Sequence, residues 1–155
     1  MKRIILAIGM VWIVLGSCKK KDDGCTIPTT TAADSEILAL KQELISQGIN
    51  ATQDSHGFFY KINSAGSGDK PDLCSSVTVN YTGKLMDGSV FDANNNITFS
   101  LGKLIVGWQE GIPLIAKGGS IELYLPPSLA YGNTAQGGIP ANSNLIFQID
   151  LLNVQ

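Results

Sequence analysis

The sequence predicts an α+β domain: an antiparallel sheet curled over one short helix. Two observations lead there. From residue 57 onward the chain is a series of short runs rich in β-branched and aromatic residues, split by glycines: GFFYKI (57–62), SVTVNYTGKLM (76–86), SVFD (89–92), ITFSL (97–101), SIELYLP (120–126) and NLIFQIDLLNV (144–154). Among them stands a single candidate helix, GWQEGIPLIA (107–116), short and interrupted by Pro113. Successive strands with one brief helix suit a sheet that buries one face against that helix. No internal repeat is present.

Ahead of the strands, DSEILALKQELISQ (34–47) places Ile37, Leu40 and Leu44, with Leu38 and Ile45 beside them, on one helical face. Asp34 is positioned to cap this helix and Gly48 to end it. Two heptads or fewer are too short for a coiled-coil arm. Residues 34–49 are therefore expected as a helix packed on its own domain, residues 50–155, and a monomer is expected.

The first 17 residues read as a signal segment. Met1, Lys2 and Arg3 give a basic start, 4–15 is almost wholly apolar, and the small residues Gly16 and Ser17 precede Cys18. A dozen apolar residues fall short of the roughly 20 that a spanning helix needs. LGSC resembles the lipobox of bacterial lipoproteins, which implies acylation of Cys18 and a lipid anchor in the bilayer; an ordinary cleaved signal with an incidental cysteine is the alternative. Residues 18–33 are polar, threonine-rich and without period, and read as a flexible tether. Lys19 after the lipidated cysteine is compatible with passage to the outer membrane, and the run Lys21, Asp22, Asp23 resembles the export signal of Bacteroidetes surface lipoproteins. The expected location is the outer membrane, on its periplasmic face or at the cell surface.

Without Lys2 and Arg3, the 11 basic residues fall to nine lysines against 13 acids, a net charge near −4. An acidic chain without arginine is a poor nucleic-acid binder. Cys25 and Cys74 remain once Cys18 is lipidated; in an exported protein they are candidates for a disulfide, the alternative being two separate thiols. His56 is the only histidine, which excludes a histidine-rich metal site and a Ser/His/Asp system, and it reads as a solvated loop residue. GSGDKP (66–71) lacks the lysine-hydroxyl ending of a phosphate loop and reads as a turn.

One stretch concentrates the remaining chemistry. With Asp87 and Gly88 as a two-residue type I′ turn, Met86 faces Ser89 and Gly83 faces Asp92. Val77, Val79, Tyr81, Gly83 and Leu85 then share a face, and Tyr81 lies diagonally from Asp92, within reach of its carboxylate. In that ideal register Phe91 points to the opposite face. If Phe91 and Asp92 both line a site, the strand needs a bulge there. Read on these residues alone, the blander reading is favoured, in which Tyr81 and Phe91 are core aromatics and Asp92 ends a strand.

VTVNYTGKLMDGSVFDA, LGKLIVGWQEGI, LYLPPSLAYG and GGIPANSNLIFQIDLL together resemble, in order and nearly in spacing, the FKBP-type peptidyl-prolyl cis/trans isomerases. The resemblance implies a sheet of about five strands wrapped around a short helix, with a pocket between them. It implies Trp108 as the pocket floor and Tyr81, Phe91 and Phe147 as aromatic walls. Leu104 and Ile105 match the aliphatic pair before Gly-Trp, where the Ile105 N–H would hold a substrate carbonyl. Tyr131 would hold another carbonyl through its hydroxyl, Ile139 matches an aliphatic lip, and Asp92 the acid beside the pocket. Ile97 stands where many members have a phenylalanine, which makes that wall smaller, while Phe99 matches a more buried aromatic nearby. The loops at 93–96 and 133–138 are short. The implied activity is isomerisation of prolyl bonds in folding exported proteins, with no metal, cofactor or nucleophile; the alternative is a non-catalytic chaperone or assembly subunit that binds proline-containing segments through the same pocket.

Overall fold

The structure, a computed structural model, describes Cys25, Thr26 and residues 28–155. The expected signal segment, the lipidation site Cys18 and the tether as far as Gly24 lie outside the described residues. The elements are α1 (Asp34–Ser46), β1 (Thr52–Gln53), β2 (Phe59–Ser64), β3 (Ser76–Leu85), β4 (Val90–Ser100), α2 (Val106–Gly111), β5 (Ser120–Leu125) and β6 (Leu145–Val154), with single 3₁₀ turns at Leu101–Lys103, Ile112–Leu114 and Pro127–Leu129. The strands form one antiparallel sheet in the order β1-β2-β5-β6-β3-β4. The α+β class is as the sequence predicts, with the two-residue β1 added at the sheet's edge.

Alternation along the strands separates two apolar clusters. Phe58, Val77, Val79, Leu123, Phe147 and Ile149 belong to the main core together with Trp108 of α2. Phe59 and Tyr124 face the other way and meet Leu40 and Leu44 of α1. The β2–β5 end of the sheet is thus covered by α2 on one side and by α1 on the other.

Helix α1 differs from expectation at its start and on one flank. Ala33, not Asp34, is the N-cap; Asp34 opens the helix, where with Glu36 it meets the positive end of the helix dipole. The end is as expected: Gly48 takes φ +70°, Gly48 N–H donates to Ile45 O, and Ile49 N–H donates to Leu44 O at 2.9 Å, a Schellman closure. Leu38 and Ile45 are 58% and 67% exposed, so they are not part of the packed face. Each lies one residue, about 100° of helix rotation, beyond the contacting Ile37 and Leu44. Polar ties fix the helix in place: Asn144 Nδ2 donates to Glu43 Oε2, Ser128 Oγ to Glu36 Oε2, and Gln47 Nε2 to Met86 O.

The β3–β4 hairpin is where the structure departs most from the ideal pattern. The turn between the strands has three residues, 86–88, not two. Gly88 N–H donates to Leu85 O, Leu85 N–H to Ser89 O, and among the turn residues only Gly88 takes a positive φ, +87°. That is a type I turn closed by a left-handed glycine. Lys84 consequently faces Val90, and Gly83 still faces Asp92, because Phe91 is an extra residue between the two pairs. The longer turn and the Phe91 bulge cancel in register, and the bulge falls at the expected place.

Strand β4 also runs unbroken through 93–96, where the sequence reading placed a loop between two strands. Ala93 and Asn94 pair with Thr82 and Tyr81. Asn95 and Asn96 together oppose Asn80, whose Oδ1 accepts the Asn96 N–H at 2.9 Å while Asn96 adopts φ +51°. Asparagine tolerates that left-handed conformation, so the run of three bulges without ending the strand.

His56 is not a freely solvated loop residue. Its backbone N–H and Nδ1 both meet Asp54 Oδ1, at 2.7 and 2.8 Å, in a turn that leads into β2.

Candidate active site

Helix α2 lies flush on β5 because its inward residues are glycines. A Cβ added to Gly107 would stand 2.4 Å from Leu125, and one on Gly111 2.6 Å from Leu123. That approach seats Trp108, 4% exposed, against the inner face of the sheet. Three rings present themselves edge-on to its indole: Tyr81 at 5.2 Å, Phe147 at 5.3 Å and Phe99 at 6.0 Å, with interplanar angles of 80–89°. These are the T-shaped distances that aromatic pairs favour. The Trp108 Nε1–H, the one polar atom of the floor, is buried and has no acceptor among the described residues.

Above the indole opens a cavity of about 200 Å³. Tyr81, Phe99, Phe147, Leu104 and Ile105 wall it, and Asp92 and Tyr131 stand in its lining as the polar members. A larger hollow of about 320 Å³ on the outer sheet face is lined mainly by asparagines and other polar side chains, and offers no comparable apolar enclosure.

The resemblance nominated most of this wall, and three nominated residues lie elsewhere. Phe91 stands behind the cavity, packed edge-on against Phe147 at 5.6 Å. A Cβ on Gly83 would lie 2.5 Å from the Phe91 ring, so the glycine makes room for it. Ile97 packs against the core without lining the cavity. Ile139 is 6% exposed and belongs to the core, in a small closure where Gln136 and Ile139 exchange backbone hydrogen bonds. Phe99 takes the wall position instead. Ile97 and Phe99 oppose Val79 and Val77, which share one face of β3; of the two, Phe99 lines the cavity, its ring centroid 6.0 Å from that of the indole. The period-two spacing of Ile97, Phe99 and Leu101 was the available signal.

Two unpaired donors border the cavity. The Ile105 N–H has no acceptor among the described residues; Ile105 is the N-cap of α2, and its carbonyl accepts the N–H groups of Trp108 and Gln109. The half-buried Tyr131 hydroxyl also makes no hydrogen bond within the described residues. Burial, and then the nearby Asp92 charge, push its phenol above the ordinary value. Burial and the hydrogen bond to Asp92 do the same for Tyr81, whose hydroxyl donates to Asp92 Oδ2 at 2.5 Å. Both phenols are protonated donors at neutral pH. Asp92 is occupied by Tyr81 and sits at the exposed edge of the site.

On the far side of α2 the structure joins Cys25 and Cys74 in a disulfide, with Cα atoms 5.4 Å apart. The Cys74 loop supports the approach to the pocket, for Leu101 N–H donates to Ser75 O and Gly102 N–H to Leu73 O, both at 3.0 Å.

A family model described as FKBP-type peptidyl-prolyl cis-trans isomerase matches residues 68–152. The FKBP-type peptidyl-prolyl cis-trans isomerase FkpA of Escherichia coli K12 is 40% identical over 129 residues, covering 80% of this chain and 48% of that protein. A probable FKBP-type isomerase of Haemophilus influenzae is 41% identical over 114 residues, covering 70% and 47%. The chain spans about half the length of the curated relatives it matches. Among solved structures, the crystal structure of FkpA from Escherichia coli is similar with a TM-score of 0.71 and 37% identity, over 78% of this chain and 60% of that one. The peptidyl-prolyl cis-trans isomerase of Pseudomonas syringae pv. tomato is similar with a TM-score of 0.69 and 26% identity, over 83% and 99%.

Proposed function

This chain belongs to the FKBP-type peptidyl-prolyl cis-trans isomerase family, and we propose on that footing that its aromatic cavity catalyses rotation about prolyl peptide bonds. The observation that carries the reading is an apolar aromatic floor bordered by two donors, Ile105 N–H and Tyr131 O–H, that have no acceptor among the described residues.

The uncatalysed rotation crosses a barrier of roughly 18–20 kcal/mol, while cis and trans differ by only about 0.5–1 kcal/mol. The planar amide owes its stiffness to charge separation between oxygen and nitrogen, and the twisted state loses most of it. Water stabilises the separated charge of the planar form; the walls formed by Trp108, Phe147, Phe99 and Tyr81 do not. The cavity therefore binds the twisted amide better than the planar one, which is catalysis by differential binding. Ile105 N–H and Tyr131 O–H hold carbonyls on either side of the prolyl ring and so restrict which bond turns. Asp92 anchors the Tyr81 ring and transfers no proton.

The wider reading is that the substrates are proline-containing segments of exported proteins, met by a monomer held at the outer membrane through acylated Cys18. Its support is the LGSC sequence after an apolar segment, together with a disulfide suited to an oxidising compartment. Fatty-acid labelling tests the anchor: label that is present in the wild type and lost in Cys18→Ser is expected, and an unlabelled wild type removes it.

The activity is tested by solvent-jump relaxation of a short X-Pro peptide. The rate should rise in proportion to protein concentration, and Trp108→Leu should lower kcat/KM at least about tenfold, the equivalent of about 1.4 kcal/mol of transition-state binding. Wild-type rates equal to those in buffer sink the proposal.

A further inference from the structure

Gln109 lies next to the pocket floor in sequence but outside the cavity wall. Its side chain folds back past the start of α2, and Nε2 donates to the Leu104 carbonyl oxygen at 2.6 Å in a partly buried setting. That carbonyl and the Ile105 N–H are the two ends of one planar trans peptide group, so they point in opposite directions. Leu104 and Ile105 wall the cavity, whereas Gln109 lines a separate hollow beside the Cys25–Cys74 disulfide. Drawing the carbonyl toward Gln109 turns the N–H toward the cavity.

The neighbouring groups are held by backbone bonds, and this peptide is not. Upstream, Leu104 N–H is tied to Leu101 O at 3.1 Å; downstream, Ile105 O accepts the Trp108 and Gln109 N–H groups at 2.9 and 3.1 Å. No other group among the described residues donates to Leu104 O. A carbonyl that accepts a hydrogen bond also polarises its peptide and makes the attached N–H a stronger donor.

We infer that Gln109 is a positioning residue: it sets the plane of the Leu104–Ile105 peptide and thereby aims and strengthens the N–H that receives a substrate carbonyl. The inference rests on the isomerase reading for the identity of the ligand, not for the orientation of the peptide.

Gln109→Met keeps the length and volume of the side chain and deletes the donor; Gln109→Ala serves as a second variant. With an X-Pro peptide, KM is expected to rise about three- to tenfold in both, the range for loss of one hydrogen bond, with kcat within about twofold of wild type. A purely structural role would instead lower the melting temperature and leave KM unchanged, and that outcome overturns the inference. Backbone ¹⁵N relaxation supplies a readout that needs no activity. The Ile105 order parameter should fall from the rigid value of about 0.85 toward 0.6 in Gln109→Met. If the wild type proves inactive, the isomerase reading fails while this measurement still decides the inference, an unchanged Ile105 order parameter refuting it.

Discussion

The Tyr81 hydroxyl donates to Asp92 Oδ2 at 2.5 Å, although the two residues are not opposite one another: Tyr81 faces Asn94 and Asp92 faces Gly83. The diagonal tie crosses the strand pair next to the Phe91 bulge and holds the ring that stands edge-on to Trp108. Tyr81→Phe should keep the ring and lose the tie, lowering stability by about 1 kcal/mol at this exposed edge. Asp92→Asn retains an acceptor and should cost less. Urea denaturation of both variants checks the order, and an equal or reversed order contradicts a tie made by the phenol to the carboxylate.

Alkaline pH should weaken the fold through its tyrosines. Burial raises the phenols of Tyr81, Tyr124 and Tyr131 above their ordinary value, and hydrogen bonds to Asp92 and Glu122 add to this at Tyr81 and Tyr124. A group whose pKa is raised on folding contributes stability that is full below the unfolded value, about 10 here, and is lost as pH climbs through the folded value. The urea midpoint should therefore hold level up to that pH and fall beyond it. Tyr124→Phe removes a hydroxyl bonded to Glu122 Oε2 at 2.7 Å and should make the fall shallower. A midpoint that rises above pH 10 would refute the assignment.

Gly83→Ala should damage the site from behind. The added Cβ would meet the Phe91 ring at 2.5 Å and Phe147 at 3.0 Å, in a place bounded by β3 and its bulged partner. Overpacking of this kind typically costs about 1–3 kcal/mol. The expected result is a lower denaturation midpoint together with weaker peptide binding, because Phe147 is displaced from Trp108. A variant with unchanged stability and affinity would show that Phe91 gives way freely.

Reduction of Cys25–Cys74 should destabilise the domain. The bond closes a sequence separation of 49 residues, for which the chain-entropy picture gives roughly 4 kcal/mol as an upper figure. Denaturation with and without reductant should differ by about half of that or more, with a mass gain of about 2 Da confirming two new thiols. Superimposable curves from a chain with that mass gain contradict the prediction.

The hairpin shows how far the sequence could be read and where it stopped. The Gly83–Asp92 pairing followed from an assumed two-residue turn and holds only because the longer turn and the bulge cancel. The bulge at Phe91 was expected so that Phe91 and Asp92 could both line the site, and it is present although Phe91 stands behind the cavity. The turn length did not, because an Asp-Gly pair serves both a two-residue turn and a type I turn closed by Gly88, and only the pairing of Lys84 with Val90 distinguishes them. The continuity of β4 was hidden by Ala93 and three asparagines, which have low strand propensity; Asn80 on the adjacent strand β3 accepts the Asn96 N–H where β4 bulges. Leu38 and Ile45 were misplaced because a helix with apolar residues on adjacent flanks does not itself say which flank meets the sheet. Phe99 was read as more deeply buried than it is: the period-two spacing of Ile97, Phe99 and Leu101 sets which face it shares, while its place in the cavity wall is set by tertiary packing.

The claim that the cavity turns over prolyl bonds is tested most directly by two-dimensional exchange NMR on an X-Pro peptide at equilibrium. Mixing times are set far below the tens of seconds that uncatalysed isomerisation requires. With a small amount of protein, cross-peaks between the cis and trans resonances should appear while the two populations stay unchanged, and Trp108→Leu should abolish them. Peptide resonances that broaden on binding yet never exchange between cis and trans would contradict catalysis and leave a protein that only binds proline-containing segments.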